Sequence, residues 1–285
     1  SKVIDGYGST NGPDQSDVWS MNDAQRVSVR ESLDAWSDVA DITFVEIDET
    51  ASDSIVGTMR FGFTTYKGTV ENVAGWATGP GGGTGNGDVW IASTEDADGE
   101  AQRANDDVFQ QGYSQGFLTL LHEIGHGLGL AHPFEGYLME GADQNGENAP
   151  LDQSKYTVMS YTVDDNVWFG GGDEMGFAIS NTPNIIDIAA IQWMYGAQET
   201  NEDDTVYDSF DPAKPFQSTI WDSGGVDTID LSNFTLGCEL SLVSGTASTV
   251  TCEGWVFDQM ENNLGIAYGT EIENLIAGSG DDLIV

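Results

Sequence analysis

Apolar residues at Phe117, Leu120, Leu121, Ile124 and Leu128 recur at the three- and four-residue steps of an amphipathic helix, and predict one over residues 114–128. Val29, Leu33, Trp36 and Ala40 repeat the same period earlier in the chain, with Asn22 or Asp23 placed to cap the helix they predict. That helix ends near Asp41 and leads into 42–47, where alternating side chains predict a strand. Residues 58–64 and 88–92 read as two further strands, separated by the glycine-rich stretch 79–87. A phosphate-binding loop would need Lys-Ser/Thr after those glycines, and none follows, so the stretch reads as a hairpin or cleft-rim loop. Helix, three strands and a second helix make an N-terminal α/β region.

The second helix carries the chemistry. All three histidines of the chain, His122, His126 and His132, lie in one segment reading H-E-x-x-H-x-x-G-x-x-H. His122 and His126, four apart, project from one helix face. Gly127 and Gly129 are poor helix formers, and Gly129 can take the left-handed geometry that reverses the chain and returns His132 toward the other two. Three imidazoles on one Zn²⁺ leave a coordination position open for water, as catalytic rather than structural sites do. Glu123 stands beside that position as the candidate general base, able to take the water's proton and pass it to a leaving amine.

With this motif, and with 156–161 reading Tyr-Thr-Val-Met-Ser-Tyr, the chain resembles the metzincin metalloproteases, and more narrowly the secreted bacterial serralysins. The resemblance implies that Met159 forms an apolar floor under the metal. It also implies that Tyr161 ligates zinc at rest and stabilises the oxyanion in turnover, a role that suits a phenol donor. In the family, a strand at the cleft binds extended substrate by backbone pairing, and 87–92 is the candidate for that edge strand. Residues 185–196 resemble the helix closing the serralysin catalytic domain, with Gly196 as its stop. The acid-rich stretch 198–205 then reads as a linker.

Beyond it, 221–230 and 272–285 resemble the start of the family's calcium-binding β-roll. The resemblance implies structural Ca²⁺ held by Asp222, Gly224, Gly225, Asp227, Glu271 and Glu273; carboxylates and the carbonyls of glycine turns suit that ion. Residues 277–285 match one copy of the repeat G-G-x-G-x-D-x-U-x, with alanine first. The expected fold is therefore α+β: a metzincin catalytic domain over 1–197 (mixed sheet plus active-site helix), followed over 198–285 by a short all-β calcium-binding domain. A single repeat predicts an incomplete β-roll, truncated relative to the family.

Composition adjusts the picture in three places. The chain has 285 residues, 39% of them hydrophobic, with eight Trp and twelve Phe, enough for a folded core. No apolar run of about 18 residues occurs, and the first residues lack a signal-peptide pattern, so a mature, soluble, secreted and monomeric protein is expected. The balance of 48 acidic and 8 basic residues, net −40, argues against nucleic acid or an anionic membrane as partner. Calcium ligation, a solvated surface for a salty setting and steering of cationic substrates all remain open as its reason. Cys238 and Cys252, the only cysteines, suggest a disulfide in an extracellular setting, which departs from the serralysins. The expected activity is zinc-dependent endopeptidase action on protein or peptide substrates; the alternative is a calcium-dependent binding module with a non-proteolytic zinc site.

Overall fold

A computed structural model describes residues 18–47, 57–64, 74–81, 85–92, 94–95, 101–102, 115–135, 150–162, 168–169, 176–177, 180–253 and 261–285. The chain forms two compact units, one from 1–33 with 43–131 and one from 34–42 with 132–285.

The first unit is built on a four-stranded sheet of β1 (Val18–Trp19), β2 (Phe61–Thr64), β3 (Gly75–Ala77) and β4 (Val89–Ala92), in the order β1-β2-β4-β3. β4 runs parallel to β2, with Phe61 opposite Val89, and antiparallel to β3, with Gly75 opposite Ile91. The described ends of the glycine-rich stretch continue the pairing of β3 with β4: Gly87 N–H donates to Thr78 O and Thr78 N–H to Asp88 O. β4 is therefore an interior strand, which corrects its assignment as the substrate-binding edge. Val89, Trp90 and Ile91 are all buried, as a strand paired on both sides and covered on both faces requires. Among the described residues the edge positions belong to β1 and β3, and of these β3 packs on α2. Asp88, at the foot of β4, is buried against Arg60, whose N–H and Nε donate to Oδ1 at 3.0 and 3.1 Å. Its Oδ2 faces Arg60 Nη2 at 2.9 Å, so the pair ties the start of β4 to β2.

Helix α1 (Asp23–Ser37) opens with a reciprocal cap: Asn22 Oδ1 accepts from Gln25 N–H, and Gln25 Oε1 accepts from Asn22 N–H. The predicted strand at 42–47 does not form. Its side chains are mostly solvated, and Glu46 instead receives Arg26 and Arg30 of α1. β5 (Thr94–Glu95) and β6 (Ala101–Gln102) make a small antiparallel pair. Helix α2 (Gln115–Leu128) buries Phe117, Leu120, Leu121 and Ile124 completely and packs on β3 and β4.

The second unit has a hairpin, β7 (Trp168–Phe169) with β8 (Gly176–Phe177), then helix α3 (Ile185–Tyr195). Among the described residues eight very short strands follow, mostly paired in parallel. β9 (Val206–Tyr207), β11 (Thr228–Asp230) and β15 (Asn274–Ile276) form one parallel sheet in the order β15-β11-β9. β10 (Ser218–Ile220) runs parallel to β14 (Leu264–Ile266), β13 (Ala247–Ser248) is antiparallel to β14, and β12 (Glu239–Leu240) is parallel to β16 (Leu283–Ile284). Their inward side chains, among them Ile220, Ile229, Leu231, Phe234, Leu264 and Ile266, share one apolar core, and among the described residues no barrel closes.

Two expectations fall here. Residues 198–205 are not a loose linker: Trp221 Nε1 donates to Gln198 O, Thr200 and Ser223 bond reciprocally, and Thr205 N–H donates to Asp227 Oδ1. Cys238 and Cys252 are free thiols rather than a disulfide. Both pack in the apolar core as small hydrophobic side chains, and burial pushes the Cys252 thiol up to about 12, far from the reactive thiolate.

Candidate metal centre

The stripe that buries α2 leaves His122 and His126 one turn apart on its other face, with ring centroids 4.8 Å from each other. The helix stops where the spacing predicts. Gly129 takes φ 108°, its N–H donates to His126 O, and Leu130 N–H donates back to Gly125 O, the paired bonds of a left-handed C-terminal cap. That reversal brings His132 round. The ligand atoms of His122, His126 and His132 all lie within 4.8 Å of one another, and among the described residues no other group of His, Cys, Asp or Glu closes this tightly.

One of the rings, that of His126, is oriented from behind by a hydrogen bond. His126 Nδ1 lies 2.8 Å from Leu130 O, so it carries the proton and leaves Nε2 free as the metal-facing atom. His132 Nδ1 lies 2.9 Å from Glu135 Oε1, and its ring is stacked on Phe134 at 4.8 Å. Three neutral imidazole nitrogens form a donor set that suits zinc. Glu123 is 5% exposed, its Oε2 has no hydrogen-bond partner, and burial pushes its carboxyl up to about 8. A buried carboxylate without a compensating charge is costly, and a divalent cation beside it removes that cost. The residues present fit a zinc ion.

The 156–161 turn stands against His132. Met159 is buried, while Tyr161 is 60% exposed with its ring centroid 4.6 Å from that of His132. The turn is held by a residue that gives no signal in the sequence, Asp187 near the start of α3. Its Oδ1 accepts from Thr157 Oγ1 at 2.6 Å and its Oδ2 from Val158 N–H at 2.7 Å.

The matrixin family model matches residues 13–154, and that of the peptidase M10 serralysin C-terminal region matches 185–285. The chain is 33% identical over 285 residues to a serralysin of Photorhabdus laumondii, covering 95% of this chain and 54% of that one. It is 34% identical to serralysin G of Dickeya chrysanthemi and 34% identical to metallopeptidase AprA of Pseudomonas marginalis, with 93% of this chain and 54% of each relative covered. The chain belongs to the serralysin-type metzincins. It spans about half the length of the curated relatives it matches.

A group of carboxylates also gathers in the short-strand region of this serralysin-type chain. Asp222 and Asp227 are buried: Asp222 accepts from Tyr207 Oη at 2.6 Å and from Gly224 N–H at 2.9 Å, and Asp227 Oδ1 accepts from Thr205 N–H. Asp227 N–H donates to Glu273 Oε2 at 2.7 Å, while Glu271 stands exposed. Sequence reasoning missed the other side of this cluster, having read it as a linker. Gly225 presses on Asp203, where an added Cβ would sit 2.7 Å from the carbonyl oxygen, and Asp204 Oδ1 accepts from Val226 N–H. Burial, followed by the carboxylates of Asp222, Glu273 and Asp204, holds the Asp227 carboxyl above its ordinary range. The signal that could have found these residues is the acidic run 202–204 itself, placed one glycine turn from Asp222 and Asp227 in the fold.

Proposed function

We propose that this chain is a zinc-dependent endopeptidase that hydrolyses peptide bonds in proteins. The observation that carries the reading is the convergence of three histidine nitrogens beside a buried, partnerless Glu123 oxygen. His122, His126 and His132 would hold the metal, and the chemistry supplied there is Lewis acidity, which brings the pKa of a water toward roughly 7. Glu123, its carboxylate kept ionised by the neighbouring cation, would take the water's proton and return it to the leaving amine. Tyr161, exposed and hinged against His132, offers its phenol as a ligand at rest and as a donor to the oxyanion. The edge strand β3 supports backbone pairing with an extended substrate, taking the place first given to 87–92.

The same reading assigns structural Ca²⁺ to Asp222, Gly224, Gly225, Asp227, Glu271 and Glu273, now joined by the Asp203 carbonyl. It divides the chain into a catalytic region, 1–197, and a β-rich calcium region, 198–285. Membership of the family supports action outside the cell. No helix among the described residues is long and apolar enough to cross a membrane.

Glu123→Gln tests the mechanism. Zinc content should stay at one ion per chain while kcat for a peptide substrate falls by roughly 10²–10⁴. Hydrolysis that survives the substitution, or a wild-type protein that takes up no zinc, would sink the proposal. Zinc uptake with no peptide hydrolysis by the wild type would favour a binding module instead.

A further inference from the structure

We propose that Asp187 and Asp152 are positioning residues that clamp the 157–161 turn at its two ends and so set the position of Tyr161 against His132. The inference rests on the zinc reading above and concerns how the site is held. Asp187 is buried, and each of its acceptor bonds goes either to the turn or to its own helix start: Thr157 Oγ1, Val158 N–H, and Asn184 N–H at 2.9 Å. The Thr157 hydroxyl in turn accepts from Met159 N–H at 3.1 Å, which extends the same chain of bonds to the middle of the turn. At the far end Asp152, 0% exposed, accepts from Ser160 Oγ at 2.7 Å, and that hydroxyl accepts from Thr162 N–H at 3.0 Å.

Tyr161 needs this frame because its own side chain is mostly solvated. Its ring is packed on His132 at 4.6 Å and lies 5.2 Å from Phe134, so its position is set by the backbone that carries it. Two buried carboxylates are an expensive way to hold a turn, since each must have its charge met by donors. Asp187 meets this with the turn's N–H and hydroxyl groups, Asn184 N–H and the N-terminal dipole of α3, while Asp152 is met at Oδ1 by Ser160 and has no partner at Oδ2. An Asn at 187 would present an NH₂ to at least one of these donors and leave it unmet, loosening the turn locally rather than the core at large.

The test is zinc release. Zinc-loaded wild type, Asp187→Asn and Asp152→Asn are mixed with excess chelator, and the Co²⁺-substituted forms are compared by visible absorption. The Asn variants should release zinc at least about tenfold faster, with a changed Co²⁺ spectrum and with kcat falling while KM holds. Leu231→Ala, in the apolar core of the short-strand region, serves as a control of matched instability and should release zinc at the wild-type rate. Folded Asn variants that release zinc no faster than Leu231→Ala would overturn the clamp. If Asp187→Asn does not fold, Thr157→Val and Ser160→Ala remove the donors while keeping both carboxylates: faster release supports the clamp, and wild-type release overturns it. A wild type that binds no zinc would instead refute the functional reading, and the clamp with it.

Discussion

Gly129 holds the third ligand in place by having no side chain. With φ at 108°, any L-residue there is strained, so Gly129→Ala should cost about 1–2 kcal/mol and displace His132. A lower melting temperature together with weaker zinc affinity would be the joint sign, and loss of stability at unchanged zinc affinity would separate the cap from the metal. Asp187 makes a different kind of prediction. Burial raises its carboxyl to about 6, against its three hydrogen bonds, so the folded protein keeps a proton that the unfolded chain releases near pH 4. Its contribution to stability is therefore largest below about pH 4 and declines as pH rises to about 6. Urea unfolding across that window should show wild type losing about 3 kcal/mol relative to Asp187→Asn, and parallel curves would contradict the assignment. Gly129 was legible because the spacing of the histidines demands a reversal at that point. Asp187 was not, since nothing in a linear sequence says that residue 187 meets residue 157. The cysteines misled for a related reason: an even pair reads as a crosslink until their burial is seen, and native protein should block thiol reagents yet show both thiols on unfolding.

At the scale of elements, α2 was legible to within a residue or two because its apolar stripe is long and unbroken. The sheet was not. β4 and an edge strand look alike as short apolar runs, and only pairing on both sides tells them apart. Residues 42–47 alternate as a strand should, but nothing among the described residues pairs with them, and Glu46 is claimed by two arginines. The edge strand β3 is pressed against α2. An added Cβ at Gly75 would lie 2.9 Å from Trp90 O and 3.0 Å from Glu123 Cγ. Gly75→Ala should therefore lower stability by about 1–3 kcal/mol and reduce peptide hydrolysis, by moving either the strand or the base. Full activity in that variant would show that the strand can retreat without disturbing Glu123.

Across the whole molecule, a net charge of −40 sets the solution behaviour. Among the described residues four of the eight cations, Arg26, Arg30, Arg60 and Lys214, are already paired, to Glu46, Asp88 and Asp211. Self-repulsion among the remaining acids should make the melting temperature rise with added NaCl as screening increases. Calcium should raise it further than magnesium at equal ionic strength, through the Asp222–Asp227–Glu273 region. Equal effects of the two ions would remove the calcium assignment and leave only screening. The parallel ladder has a further consequence, in time rather than in energy. Ile229 of β11 lies beside Tyr207 on one side and Leu275 on the other, and β10 finds its partner only at 264–266. None of these strands closes with its immediate successor: β9 can meet β11 once residue 230 has emerged from a ribosome, but the second partner of β11 and the partner of β10 lie at 264–276, so the ladder is completed late.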